Sequence, residues 1–199
     1  MENQPVEYGL SLAQFNSHKE NETKSLYFLH GTTWETKLWP EKYWIELGEI
    51  AARNSYSINL LWGNEEEQLR AKRIAKAIPG ANVMSQLTLT EIASQLMQTD
   101  IVIAVDTGLA HLSAALERPT IALYGASDPE KTGTYGKNQV HLSALFSCSP
   151  CLNKKCNYQS KDLNELEKQT ISTVNPPCFS TLPPGIVWQK VAELINTQH

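Results

Sequence analysis

The sequence predicts an α/β fold in which one parallel β-sheet of about six strands carries helices on both faces. Three observations lead there. From Ser25 onward, short β-rich runs alternate with longer helical patterns, as stacked strand–helix–strand units do. The runs are apolar nearly throughout rather than at every second residue, which suits strands covered on both faces. Several of them end in a turn containing glycine.

Taken in order, residues 1–24 read as an inter-domain linker, because NSHKENETK has almost nothing to bury. The strands are then SLYFLH (25–30), SINLLW (57–62), ANVM (81–84), DIVIAV (100–105), PTIALY (119–124) and QVHLSA (139–144). Pro40 suits the first turn of a helix running to about Arg53. Thr88 and Glu91 form a capping box ahead of IASQLM. Asp106 or Thr107 is placed to cap the helix LAHLSAALE, which stops before Pro119. Residues 25–144 therefore form the α/β domain, and residues 145–180 are an irregular Cys- and Pro-rich segment. Residues 181–199 hold a terminal helix with Ile186, Val187, Val191 and Leu194 on one face.

At 199 residues the chain has room for one well-buried domain. With 41% hydrophobic residues, 19% charged residues and a net charge of -4 it is unlike a basic nucleic-acid binder, so no nucleic-acid partner is expected. No apolar stretch approaches the ~18 residues of a membrane span, and MENQPVEYGL lacks the features of a secretion signal. A cytoplasmic location is expected.

The segment AVDTGLAHLSAA (104–115) poses a choice. Asp-Thr-Gly is the signature of aspartic proteases, but those need two such loops embedded in β-structure, and here a single copy leads into a helix. The alternative is a binding loop at the carboxyl end of a parallel strand, where ligands of such sheets sit. HGTTWETK, WGNEEE, DTGLAH and YGASDPEKTG all follow strands and would share one edge. Thr32, Thr33 and Lys37, with the helix start at Thr107, Gly108 and Leu109, suit a diphosphate. An acidic residue of WGNEEE is placed for ribose hydroxyls. Each has a plainer reading: Lys37 as a solvated surface lysine, Glu65–Glu67 as a helix-start charge cluster, His111 as a packed core residue. The absence of GxGxxG after any strand argues against a dehydrogenase.

FLHGTTWETKLWPEKYW, LLWGNEEEQLRAKRIA, VDTGLAHLSAALERPTIALYGASDP and YGKNQ resemble the carboxyl-terminal half of the family 9 glycosyltransferases over about residues 25–143. The resemblance implies a Rossmann-like domain, one half of a GT-B fold. It implies an inverting enzyme that moves heptose from ADP-heptose to the Kdo of the lipopolysaccharide inner core. Donor contacts would fall on Thr32, Thr33, Lys37, Glu67, Asp106, Thr107, Gly108, Leu109 and His111. Glu65 and Glu66 lie within one slip of Glu67. The acceptor, Kdo-lipid A, and the general base would belong to an amino-terminal domain outside this chain, leaving it no catalytic residue of its own and no required cofactor. The full-length enzyme would work in the cytoplasm, at the inner face of the inner membrane. Asp106 then positions the sugar and caps its helix. A type II or III heptosyltransferase with another acceptor, or a stand-alone nucleotide-binding domain, remains the alternative.

Cys148, Cys151, Cys156 and Cys178 fall in the last quarter of the chain. Their spacing fits a tetrahedral structural zinc site, a disulfide between two of them, or free thiols.

Overall fold

The computed structural model describes residues 8–10, 12, 23–159 and 174–196. Six strands, β1 (Ser25–Leu29), β2 (Ser57–Leu60), β3 (Asn82–Val83), β4 (Ile101–Val105), β5 (Thr120–Tyr124) and β6 (Gln139–Ser143), form one sheet. Its order is β3-β2-β1-β4-β5-β6, and every neighbouring pair is parallel. All six expected strands form, each shorter than its run by one or two residues. The central strands β4 and β5 are buried along their whole length, which explains why their sequence runs do not alternate.

Helices cover both faces. On one side lie α1 (Glu41–Arg53), α2 (Glu65–Ala77) and the terminal α6 (Pro184–Asn196), packed on Leu26, Phe28, Ile58, Ile103 and Ile121. On the other, α3 (Leu89–Met97) and α4 (Gly108–Ala115) pack on Tyr27, Leu29, Val102 and Ala104. Alternate residues of β1 thus feed two separate cores, as the two-residue period of a strand requires. A short α5 (Pro129–Thr132) follows β5.

Helix ends follow local chemistry. Thr88 and Glu91 make the expected reciprocal capping box at α3. Asn64 caps α2 by accepting from the Glu67 amide at 2.9 Å. Pro40 stands at the N-cap of α1, one position before the helix.

The terminal region departs from expectation in two respects. Ile186 is 42% exposed, so the buried stripe of α6 is Val187, Val191 and Leu194. A 3₁₀ turn, Pro177–Thr181, occupies part of the segment expected to be irregular; its Phe179 is fully buried and leaves no room for a side chain at Gly125. Residues 160–173 lie outside the described residues. Within the expected linker, Tyr8 accepts from the Tyr135 amide at 3.0 Å and Leu12 packs against the core beneath α3 and α4. Among the described residues no helix is long and apolar enough to cross a membrane.

Candidate donor-binding site

The sheet order reverses between β1 and β4: the chain moves outward to β2 and β3 on one side and to β5 and β6 on the other. The loops after β1 and β4 therefore part in opposite directions, opening the crevice in which α/β proteins hold ligands. Gly31–Lys37 and Asp106–Leu109 border it. Thr32 ties the two together, its hydroxyl donating to the Asp106 carbonyl at 3.2 Å.

Lys37 ends a 3₁₀ turn (Glu35–Lys37) and reaches back across the crevice, 2.8 Å from the Asp106 carboxylate. The pair is largely withdrawn from solvent, with 14% and 7% of the two side chains exposed. The Lys37 ammonium also lies 4.3 Å from the centre of the Trp34 ring, a second attraction for the same charge. Lys37 is thus enclosed and paired rather than a solvated surface lysine.

Asp106 does not cap α4. Its Oδ2 accepts from Lys37 and from the Thr132 hydroxyl at 3.1 Å. Thr107 stands at the N-cap with no side-chain bond. The first turn of α4 is left uncapped by side chains, so the amides of Gly108 and Leu109 are available to an anion. Nothing lies within 4 Å of where a Cβ on Gly108 would sit.

Glu67 faces the crevice from α2. Its carboxylate accepts from the Gly63 amide at 2.7 Å and lies so close to Gly31 that a side chain there would collide with it. Glu65 and Glu66 are both exposed. On the α3 side a cavity of about 280 Å³ is walled by Leu61, Leu87, Ile92 and Leu109, with Glu67 and Thr107 at its polar rim. A larger hollow, about 590 Å³, lies over β2 and carries no charged side chain among Ser25, Tyr27, Asn59, Asn82 and its other lining groups. Thr33 is exposed at the crevice mouth, and His111 is half-buried one turn into α4. The structure thus gathers Thr32, Lys37, Glu67, Asp106, Thr107 and Leu109 around one crevice. Trp34 and Thr132 join it without having been anticipated, although the quoted loops HGTTWETK and YGASDPEKTG contain them.

His30, the last residue before the β1 loop, is fully buried beside Trp44, and neither ring nitrogen has a hydrogen-bond partner. Burial, with the Arg70 charge nearby, lowers its pKa to about 4.

All four cysteines are free thiols. Cys178 is buried in the larger core, and burial together with the other three thiols pushes its pKa up to about 12. Cys148 and Cys156 are exposed. Among the described residues no group of three His, Cys, Asp or Glu is placed to hold a metal ion. Of the three states the spacing left open, a zinc site, a disulfide or free thiols, the cysteines stand here as thiols, with Cys178 in the core and Cys148 and Cys156 exposed.

The profile of glycosyltransferase family 9 (heptosyltransferase) matches residues 1–161. The lipopolysaccharide heptosyltransferase 1 of Pseudomonas aeruginosa is 42% identical over 182 residues, which cover 89% of this chain and 50% of that protein. The chain thus spans about half the length of the curated relatives it matches. Among solved structures, E. coli heptosyltransferase WaaC with ADP superposes with a TM-score of 0.74 at 30% identity, over 96% of this chain and 51% of that one. WaaC with ADP-2-deoxy-2-fluoro heptose gives 0.64 at 37% identity, over 71% of this chain and 44% of that one.

Proposed function

The chain belongs to glycosyltransferase family 9, the heptosyltransferase family, and on that premise we propose that its crevice binds ADP-heptose as the donor half of an inverting transferase. The observation that carries the reading is the enclosed Lys37–Asp106 pair at the point where the sheet order reverses, beside the uncapped start of α4. Adenosine would occupy the apolar cavity between Leu61, Leu87, Ile92 and Leu109, with Glu67 accepting from the ribose hydroxyls. The diphosphate would lie against Thr32, Thr33, the Gly108 and Leu109 amides and Lys37. Heptose would extend past Asp106 and His111.

Departure of the nucleoside diphosphate builds positive charge on the sugar and negative charge on the phosphate. The Gly108 and Leu109 amides, the threonine hydroxyls and Lys37, once drawn off Asp106, would stabilise that separation by meeting the phosphate charge. The acceptor hydroxyl attacks from the opposite face and needs a general base. That base, and the site for the Kdo of lipid A, are assigned to the other half of the enzyme, working at the cytoplasmic face of the membrane. The resemblance to heptosyltransferase 1 favours Kdo over the acceptors of type II or III enzymes.

Calorimetry with ADP tests the donor site. Lys37→Ala should weaken binding by about 1 to 3 kcal/mol, the range for hydrogen bonds to charged groups. Asp106→Asn leaves Lys37 free for the phosphate, so ADP affinity should hold while preference for ADP-heptose over ADP falls. Equal ADP affinity in wild type and Lys37→Ala rejects the assignment. Heptose transfer to a Kdo-lipid by this chain alone rejects the division of labour.

A further inference from the structure

We propose that Thr132 is a positioning residue of the donor site, holding the Asp106 carboxylate so that Lys37 can leave it for the diphosphate; this rests on the donor reading above. Asp106 is 6% exposed, and a single oxygen, Oδ2, receives both Lys37 and the Thr132 hydroxyl. When an incoming diphosphate draws Lys37 away, the carboxylate is left charged in a largely buried position, and breaking an enclosed ion pair from one side is costly. The hydroxyl offsets part of that cost because it remains on the same oxygen after the lysine has gone.

The chain around Thr132 is locked on both sides. The Tyr124 hydroxyl donates to the Thr132 carbonyl at 3.4 Å. Two residues on, the Thr134 hydroxyl is 2.9 Å from His141 Nε2. Between them, the Gly133 amide donates to the Pro129 carbonyl at 2.8 Å. A side chain at Gly133 would place its first carbon 2.3 Å from that carbonyl oxygen and 2.8 Å from the His141 ring, so the turn accepts only glycine. The Thr132 proton has a second acceptor in reach, the Asp128 carbonyl at 3.2 Å. The hydroxyl faces both acceptors, and of the two the charged carboxylate makes the stronger bond.

The experiment uses Thr132→Val, which keeps the shape and removes the hydroxyl, and Thr132→Ser, which keeps the hydroxyl. Each is made alone and with Lys37→Ala, and ADP is titrated by calorimetry. Thr132→Val should weaken ADP roughly three- to tenfold, Thr132→Ser should stay within about twofold of wild type, and in the Lys37→Ala background Thr132→Val should add nothing. An equal loss in both backgrounds, or none in either, overturns the role. A second cycle needs no ligand: urea unfolding of Thr132→Val, Asp106→Ala and the double variant. Costs that combine to less than their sum show the contact, and additive costs overturn it. Should wild type fail to bind ADP, the donor reading falls, while this cycle still decides whether Thr132 holds Asp106. Thr132→Ala serves in the same cycles if the valine variant does not fold.

Discussion

The two faces of the sheet are built for different work. On the α1, α2 and α6 side, Trp39, Trp44, Phe28 and Phe179 fill the space with large rings, and Phe28, Trp39 and Trp44 meet at centroid distances of 4.8 and 5.0 Å. The opposite face is covered by the nine-residue α3 and the eight-residue α4. Those shorter helices leave the cavity beside Leu61, Leu87 and Leu109 open. One face therefore concentrates large buried rings, while the other carries a small apolar cavity; a hollow of about 560 Å³ between Thr32, Thr33, Glu41, Glu67 and Arg73 opens beside α1 and α2.

Trp44→Ala probes the first face with the largest expected effect. Removing this fully buried ring should cost about 3 to 5 kcal/mol in urea denaturation. The ADP affinity of the molecules still folded should be unchanged, and a parallel drop in affinity would show that the two faces are not independent.

His30 carries the next effect, because it lies under the same rings at the root of the β1 loop. Its pKa is about 4 when folded and about 6.5 when unfolded, so between those values the unfolded chain takes up a proton that the folded chain refuses. Stability should fall by about 3 kcal/mol as pH drops from 6.5 to 4 and should not change further from this group outside that window. The slope is measured as the difference between wild type and His30→Gln across the range. Identical pH profiles would place His30 in contact with water.

The smallest effect belongs to an exposed ion pair at the rim of the hollow beside Thr32 and Thr33. Arg73 meets Glu41 at 2.6 Å, with 58% and 33% of the side chains exposed, against 14% and 7% for Lys37 and Asp106. Arg73→Ala should change stability by under about 1 kcal/mol, and raised salt should erase that difference. A loss as large as that of an enclosed pair would mean that exposure is a poor guide to what these charges do.

Most of the fold was legible because its signals are local. Uninterrupted apolar runs such as IVIAV and TIALY mark strands buried on both sides, and Thr88 with Glu91 marks the start of α3 within four residues of chain. The same local logic misplaced Ile186, which helical period alone assigns to the buried stripe. Which side of a helix meets the core depends on what it lands against, and α6 lands with Val187, Val191 and Leu194 inward.

The sequence by itself determined which hydroxyls, lysine and helix start share one edge of the sheet, since each follows a strand. Only the tertiary structure decided what they do to one another. Asp106 stands immediately before a helix start and by local rules should cap it. The fold sets Lys37 from the β1 loop and Thr132 from α5 against it, and a carboxylate in a largely buried place is stabilised more by an ammonium and a hydroxyl than by a nearby amide. The four cysteines show the converse. Their spacing fits a metal site, a disulfide or free thiols alike, and folding buries Cys178 in the core while Cys148 and Cys156 stay exposed, all four close enough that the other three thiols raise the Cys178 pKa. Spacing along a chain fixes which groups can meet, and the burial each segment gains on folding settles which of them do.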